Sequence, residues 1–312
     1  MQSSAPFARI GTRGSPLALA QAKLVRSLLC QRHGVEEDAI EIDVFSTGGD
    51  RSQASNVPVS SIGGKGVFTK EIDEALLSGR IDIGVHSSKD VASVLPEGMR
   101  LAAFLEREDV RDAFLSVKVQ SFDHLPKRAV FGTSSIRRAA QALRIRPDLV
   151  IVPFRGNVHT RLNKLLGGVA DATLLAMAGL NRLQEAHRAT AILDTESFMP
   201  APAQGAIGLA IRSADQRSAD LVEALDHAPT HRTIAAERAM LAVLDGSCRT
   251  PVGALSSVSG DHLTLQGEIL SLDGQTSFRA EGSGNDPETL GRRIGEDLLH
   301  QAGPDWVRQW MA

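Results

Sequence analysis

The chain has 312 residues and no tyrosine, and aromatic residues make up only 4% of it. It therefore offers little that stacks on the bases of single-stranded nucleic acid. Cysteine is nearly absent as well: Cys30 and Cys248 stand alone. Two cysteines make no disulfide framework, and neither lies in a Cys-x-x-Cys pattern, so no metal site is read. Reduced thiols and a cytoplasmic location are the expectation. No apolar run approaches the ~18 residues of a membrane span. Residues 1–8 lack a basic region followed by an apolar core, so no secretory signal is read. Lysine is scarce: of 34 cationic residues 7 are lysine and 27 arginine.

What is present is an ordinary globular composition, 42% hydrophobic and 23% charged. At this length two or three domains are expected. The net charge is −3, but it is unevenly spread. Between Lys127 and Lys164 nine cationic residues face Asp148 alone, a local charge of +8. Guanidinium forks suit bidentate binding of carboxylate or phosphate, so this segment expects an anion. For any single arginine, a solvated basic face is the simpler reading.

Along the chain, Phe7 to Thr12 reads as a strand. Ser15 then stands as an N-cap with Pro16 at the first helical position, and the helix runs to His33 before Gly34. Cys30 in that helix is a packing residue. Ile40 to Phe45 alternates like a strand. The polar stretch from Ser46 to Gly66 has the length of a mobile functional loop. Its Gly63-Gly64-Lys65-Gly66 lacks the spacing of a Walker loop.

A helix from Phe68 to Ser78 and a strand from Ile81 to Val85 follow. The strand ends in His86-Ser87-Ser88-Lys89-Asp90, where open α/β sheets bind ligands. Strands are expected at Leu101 to Leu105 and Ala113 to Val117, with the charged Glu106 to Asp112 as a linker. Ala129 to Gly132 is a strand, and Thr133-Ser134-Ser135-Ile136-Arg137-Arg138 opens a helix whose N-terminus favours an anion. Leu149 to Pro153 reads as a buried strand, and Arg155-Gly156-Asn157 starts a helix carrying Arg161. A strand at Ala172 to Ala176 precedes a helix from Gly179 to Ala186 with Arg182. Three times a basic or hydroxyl cluster falls at a strand's end or a helix's start, which points to one anionic cleft in an α/β framework.

Met199 to Gly205 is hinge-like, and Ala206 to Ile211 reads as a strand. Helices are expected at Ala214 to His227 and Thr230 to Leu244. Val252 to Val258, Leu263 to Leu270 and Thr276 to Glu281 form an antiparallel meander with turns at Gly260-Asp261 and Asp273-Gly274. A helix from Pro287 to Gln301 closes this α+β part. At its start lies Leu244-Asp245-Gly246-Ser247-Cys248-Arg249-Thr250, a lone thiol on a Gly/Ser turn. That thiol is either a small core residue or an anchoring nucleophile.

Taken together, Arg13-Gly14-Ser15-Pro16-Leu17-Ala18, Gly64-Lys65-Gly66-Val67-Phe68-Thr69-Lys70-Glu71 and His86 to Asp90 make one ordered set with Gly132 to Arg138. Arg155-Gly156-Asn157-Val158, Ala178-Gly179-Leu180, Gln204-Gly205-Ala206 and Gly246-Ser247-Cys248 continue it. The set resembles the porphobilinogen deaminase (hydroxymethylbilane synthase) family across nearly the whole chain. Ala92 and Ser247 stand where that family usually has proline and often glycine, without removing a charge or the thiol.

The resemblance implies a monomeric transferase that joins four porphobilinogen units head to tail, releases ammonia and yields hydroxymethylbilane. It implies a dipyrromethane cofactor held by a thioether to Cys248, and no metal, nucleic acid or membrane partner. Asp90 would be the catalytic carboxylate, stabilising the cationic electrophile left when ammonia departs. Ser87, Lys89, Thr133, Ser135, Arg137 and Arg138 would hold the cofactor's carboxylates. Arg13, Ser15, Arg155, Arg161, Arg182 and Gln204 would hold those of the substrate. Phe68 and Lys65 belong to the lid region, Phe68 covering a pyrrole ring.

The implied fold is α/β with three domains. Residues 1–105 with 206–224, and 106–205, would resemble the lobes of periplasmic binding proteins. Residues 225–312 would be a small α+β domain with a three-stranded antiparallel sheet. The chief alternative is a non-catalytic two-lobed binding protein for a small dicarboxylate; it has no need of Cys248.

Overall fold

A computed structural model describes residues 6–48, 69–244 and 251–311. The chain divides into two compact units, Met1–Arg107 with Ala206–His231, and Glu108–Gly205 with Arg232–Ala312.

In the first unit, β1 (Ala8–Arg13) leads into α1 (Pro16–His33), then β2 (Ile40–Phe45), α2 (Lys70–Leu77), β3 (Ile83–Ser87) and β4 (Met99–Phe104). Local chemistry sets the bounds of α1. Ser15 Oγ accepts from the Ala18 amide, Pro16 starts the first turn, and Gly34 ends the helix at φ 66°. That left-handed conformation costs glycine no Cβ clash. The sheet order is β2-β1-β3-β10-β4, where β10 is Ile207–Arg212. β1 runs parallel to β2 and β3, whereas β10 enters antiparallel between β3 and β4. The chain thus leaves this sheet after β4 and returns to it a hundred residues later.

Because side chains alternate across a strand, each face of the sheet buries its own set. Ile10, Ile83, Val85 and Leu209 pack with Val25 and Leu29 of α1 and with Val222 of α6 (Gln216–Glu223). On the other face Phe45, Met99 and Ala210 pack with Ile72 and Leu76 of α2.

The second unit repeats the scheme. Its elements are β5 (Asp112–Ser116), β6 (Val130–Gly132), α3 (Ile136–Ile145), β7 (Val150–Val152), α4 (Val158–Leu166), β8 (Ala172–Ala176), α5 (Met177–Arg182) and β9 (Ala191–Ile192). The sheet order is β7-β6-β8-β5-β9, with β6 parallel to β7 and β8, and β5 antiparallel to β8. Phe114 and Leu174 point into one core, while Ala113, Leu115 and Leu175 point into the other. β7, expected to be buried, is instead the sheet's edge strand. Among the described residues it pairs with β6 alone, and Val150 is 38% exposed. The two-residue β9 has no hydrophobic alternation and was not expected.

α7 (Ala228–Val243) crosses into the second unit, followed by β11 (Val252–Ser259), β12 (His262–Leu270), β13 (Ser277–Gly284) and α8 (Pro287–Met311). The three strands form the expected antiparallel meander. Leu263, Leu265 and Ile269 on one face pack against Met240 of α7 and Ile294 and Leu298 of α8. α8 runs ten residues past the expected Gln301, broken at Gly303 by a φ of 77°.

The β12–β13 turn lies directly against α3. A Cβ on Gly274 would meet the Ala140 carbonyl oxygen at 2.2 Å, and its φ of +72° also disfavours a side chain. Gly274→Ala is expected to destabilise the protein by about 2 kcal/mol, from overpacking against backbone and a strained φ. Denaturant unfolding checks this; an unchanged midpoint would contradict the contact.

Candidate functional site

The second unit holds the most unusual chemistry. Asp112 opens β5 with no solvent exposure. Its Oδ2 accepts from Arg137 Nη2 at 2.8 Å and from Arg138 Nε at 3.2 Å. Its Oδ1 accepts from Arg138 Nη2 at 2.7 Å and Gln204 Nε2 at 2.9 Å. An ionised carboxylate has about four acceptor positions, and all are taken. Burial by itself would raise the Asp112 carboxyl, but the two guanidiniums outweigh it and hold it well below the usual carboxylate range.

The arginines are consecutive on the first turn of α3, both about 5% exposed. Arg138 also donates from Nη1 to the Leu174 carbonyl, at 2.9 Å. Arg137 Nη1 donates to Gln141 Oε1 at 2.9 Å and the Met199 carbonyl at 2.7 Å. Burial lowers Arg137 against the pull of Asp112. Its Nε is buried and has no hydrogen-bond partner among the described residues. Two buried cations against one anion leave the triad a net +1. An orphaned buried N–H beside excess positive charge fits a further carboxylate oxygen.

A second buried carboxylate extends this network. Gln141 Nε2 reaches Glu268 Oε2 at 3.2 Å, and Arg144 and Arg279 both pair with Glu268. A third, Glu237, accepts from the Ala203 amide at 2.6 Å and from the Ser256 amide and hydroxyl. Ala203 sits at φ 62°, a conformation a non-glycine residue holds only when its surroundings enforce it. Gln204 follows, donating also to the Val110 carbonyl at 2.7 Å.

The hydroxyl-rich helix start is built as expected, but its oxygens have local work. Ser135 is the N-cap of α3, its Oγ accepting from the Arg138 amide. Thr133 Oγ1 accepts from the Ser135 amide, and Ser134 Oγ from the Phe154 amide. Arg155 and Arg161 flank the start of α4, each partly exposed, with Arg161 Nε donating to the Gly156 carbonyl at 2.8 Å. Arg182 Nη2 donates to the Gly205 carbonyl at 2.7 Å; burial lowers its guanidinium, and Glu108 opposes that. The +8 segment is therefore no uniform basic face. Arg137, Arg138 and Arg144 serve buried carboxylates, and Arg146 pairs with the partly exposed Asp148.

In the first unit, Ser88, Lys89 and Asp90 form a single helical turn after β3. Lys89 and Asp90 are exposed. Ser87 exchanges hydrogen bonds with the buried Gln21 of α1, at 2.9 and 3.1 Å. Arg13 ends β1 and Ser15 caps α1. Buried His86 is pushed down to about 4 by burial, with a contribution from the Arg13 charge. Lys65, Phe68, Cys248 and the 46–66 loop from residue 49 on lie outside the described residues. No group of His, Cys, Asp or Glu that would hold a metal occurs among the described residues.

Sequence reasoning missed Asp112, Gln21, Gln141, Glu237 and Glu268. Asp112 was read into a charged linker. The one available signal was its place directly before the apolar Ala113-Phe114-Leu115.

Fold and site define a protein of two mixed α/β sheets and one small antiparallel sheet, with adjacent buried arginines on a carboxylate. Residues 8–220 match the family model described as porphobilinogen deaminase, dipyromethane cofactor binding domain, and residues 231–300 match that family's C-terminal domain. A porphobilinogen deaminase of Nitrobacter hamburgensis is 50% identical over 308 residues, 97% of each chain. That of Nitrobacter winogradskyi is 50% identical over 299 residues, covering 95% of this chain and 94% of the relative. Among solved structures, a periplasmic substrate-binding protein from Coxiella burnetii is similar at TM-score 0.43 and 16% identity, over 74% of this chain and 97% of its own. The chain belongs to the porphobilinogen deaminase family, and it is an enzyme of that family.

His86 generates a pH prediction. Its folded-state value lies below the unfolded 6.5, so between those values the unfolded chain binds more protons. Its contribution is complete above pH 6.5 and lost as pH falls to about 4. The loss amounts to about 3 kcal/mol. Urea unfolding of wild type and His86→Gln at pH 7 and pH 4.5 checks this: the variant is expected to lose less stability between the two.

Proposed function

We propose that this chain joins four porphobilinogen units head to tail with release of ammonia and then hydrolyses off hydroxymethylbilane. The observation that carries the reading is the family match over nearly the whole length. The dipyrromethane cofactor belongs to the same family identity. The residues present fit it, because a carboxylate-bearing group answers the orphaned Arg137 Nε and the triad's excess positive charge. When bound, it supplies the pyrrole carbon from which the chain grows.

The finer assignments rest on the motifs. Cys248 would attach the cofactor through a thioether. Ser87, Lys89, Thr133, Ser135, Arg137 and Arg138 would hold its carboxylates. Arg13, Ser15, Arg155, Arg161, Arg182 and Gln204 would hold those of the incoming and growing pyrroles. Asp90, exposed on its turn, would accept a hydrogen bond from the pyrrole N–H and stabilise the positive charge as ammonia leaves. It would then take part in the proton transfer that restores the ring. Phe68 and Lys65 would cover the reacting ring. A cytoplasmic monomer of three domains, divided as 1–105 with 206–224, 106–205 and 225–312, completes the reading. The dicarboxylate-binding alternative explains neither the family match nor Cys248.

Intact mass is the direct test. The wild-type chain is expected to be heavier than its sequence by two linked pyrrole units, and Cys248→Ala is expected to lack that increment and all turnover. A wild-type chain that stays unmodified after incubation with porphobilinogen would refute the proposal. Asp90→Asn is expected to lower kcat by about 10²-fold or more. Because Asp90 is exposed, its stability should stay within about 0.5 kcal/mol of wild type. Steady-state kinetics and thermal melting of the same preparation check both parts.

A further inference from the structure

Arg137 and Arg138 follow one another in sequence, and both are buried. Two guanidiniums so placed repel each other and lose hydration. Left to themselves they would turn apart, toward separate partners or toward solvent. Asp112 prevents that. It engages Arg138 through the Nε/Nη2 fork and Arg137 through Nη2, so one carboxylate spans both.

The remaining donors are then determined by subtraction. Both Nη1 groups point to carbonyl or amide oxygens of the protein, on Leu174, Gln141 and Met199. Arg137 Nε is left buried and unpartnered among the described residues. The fourth acceptor position of Asp112 receives Gln204, whose backbone follows the strained Ala203. One carboxylate thus orients three side chains that the sequence motifs place in ligand binding.

We infer that Asp112 is a positioning residue: it clamps Arg137 and Arg138 side by side so that the uncommitted N–H groups of the pair, Arg137 Nε foremost, are set for a ligand carboxylate. This rests on the reading of the arginine pair as a cofactor-carboxylate site. A structural ion pair alone would saturate its own donors. Here the anion is saturated and the cations are not, which is the arrangement of a receptor for a second anion.

The test is a double-mutant cycle on the full chain freed of its cofactor, using Asp112→Asn, Arg137→Gln and the double variant. The readout is the rate at which porphobilinogen converts each chain to the heavier, cofactor-bearing mass, taken well below each variant's melting temperature. A merely stabilising Asp112 would leave that rate unchanged in folded protein. The expected result is a tenfold or greater fall for each single variant, and for the double variant a fall larger than that of Arg137→Gln but smaller than the product of the two, because Asp112 acts partly through Arg137 and partly through Arg138. Should Asp112→Asn not fold, the double variant remains, since it keeps the triad's net charge of +1. Its loading rate is then compared with that of Arg137→Gln: a further fall, from the unclamped Arg138, supports the inference, and equality overturns it.

Loading of Asp112→Asn at the wild-type rate, or losses that multiply in the double variant, would also overturn it. So would wild-type loading by Arg137→Gln. Failure of the wild-type chain to load would instead refute the functional reading itself, so the two failures are distinct.

Discussion

The second unit is organised by a carboxylate that no water reaches. Asp112 sits at the first position of β5, and its two oxygens receive four donors from α3 and from Gln204. Removing one partner from such a cluster leaves an unpaired buried charge, at a cost of about 3–5 kcal/mol. Replacing the whole cluster with apolar side chains is often neutral or stabilising. General stability therefore does not account for the triad. The triad's excess positive charge and the Arg137 Nε, unpartnered among the described residues, fit the proposed ligand carboxylate, which an apolar core would not.

The same unit joins its parts through two further buried carboxylates. Glu268 lies on β12 and Glu237 on α7, both fully buried. Through Gln141 the first reaches the helix that carries the arginines. Through Ala203 the second holds the turn that presents Gln204. The meander and α7 thereby fix the geometry of residues far away in sequence. Those elements flank residues 245–250, where the motifs place the cofactor's anchor.

In the first unit, the groups proposed to bind ligand also serve the scaffold. Ser15 both caps α1 and stands in a ligand motif, and Ser87 is held by Gln21 of that helix. His86, kept neutral by burial, adds no positive charge beside Arg13. Lys89 and Asp90 remain exposed on a tight turn.

Local chemistry made much of this legible in advance. The Ser15 cap, Pro16 start and Gly34 stop bound α1 as expected, because capping depends on neighbours within four residues. The meander and its two turns were equally plain, and the ordered motifs carried the family. Sequence alone thus determined the helix caps, most of the strands, the family and the chemistry available to it. Tertiary structure decided the rest. It placed β10 antiparallel inside the first sheet, put β7 at an edge, and chose which charges of the arginine-rich segment face inward. Asp112 shows the reason. It lies 25 residues from Arg137 and 92 from Gln204, and a charge finds such partners only when distant strands and helices pack.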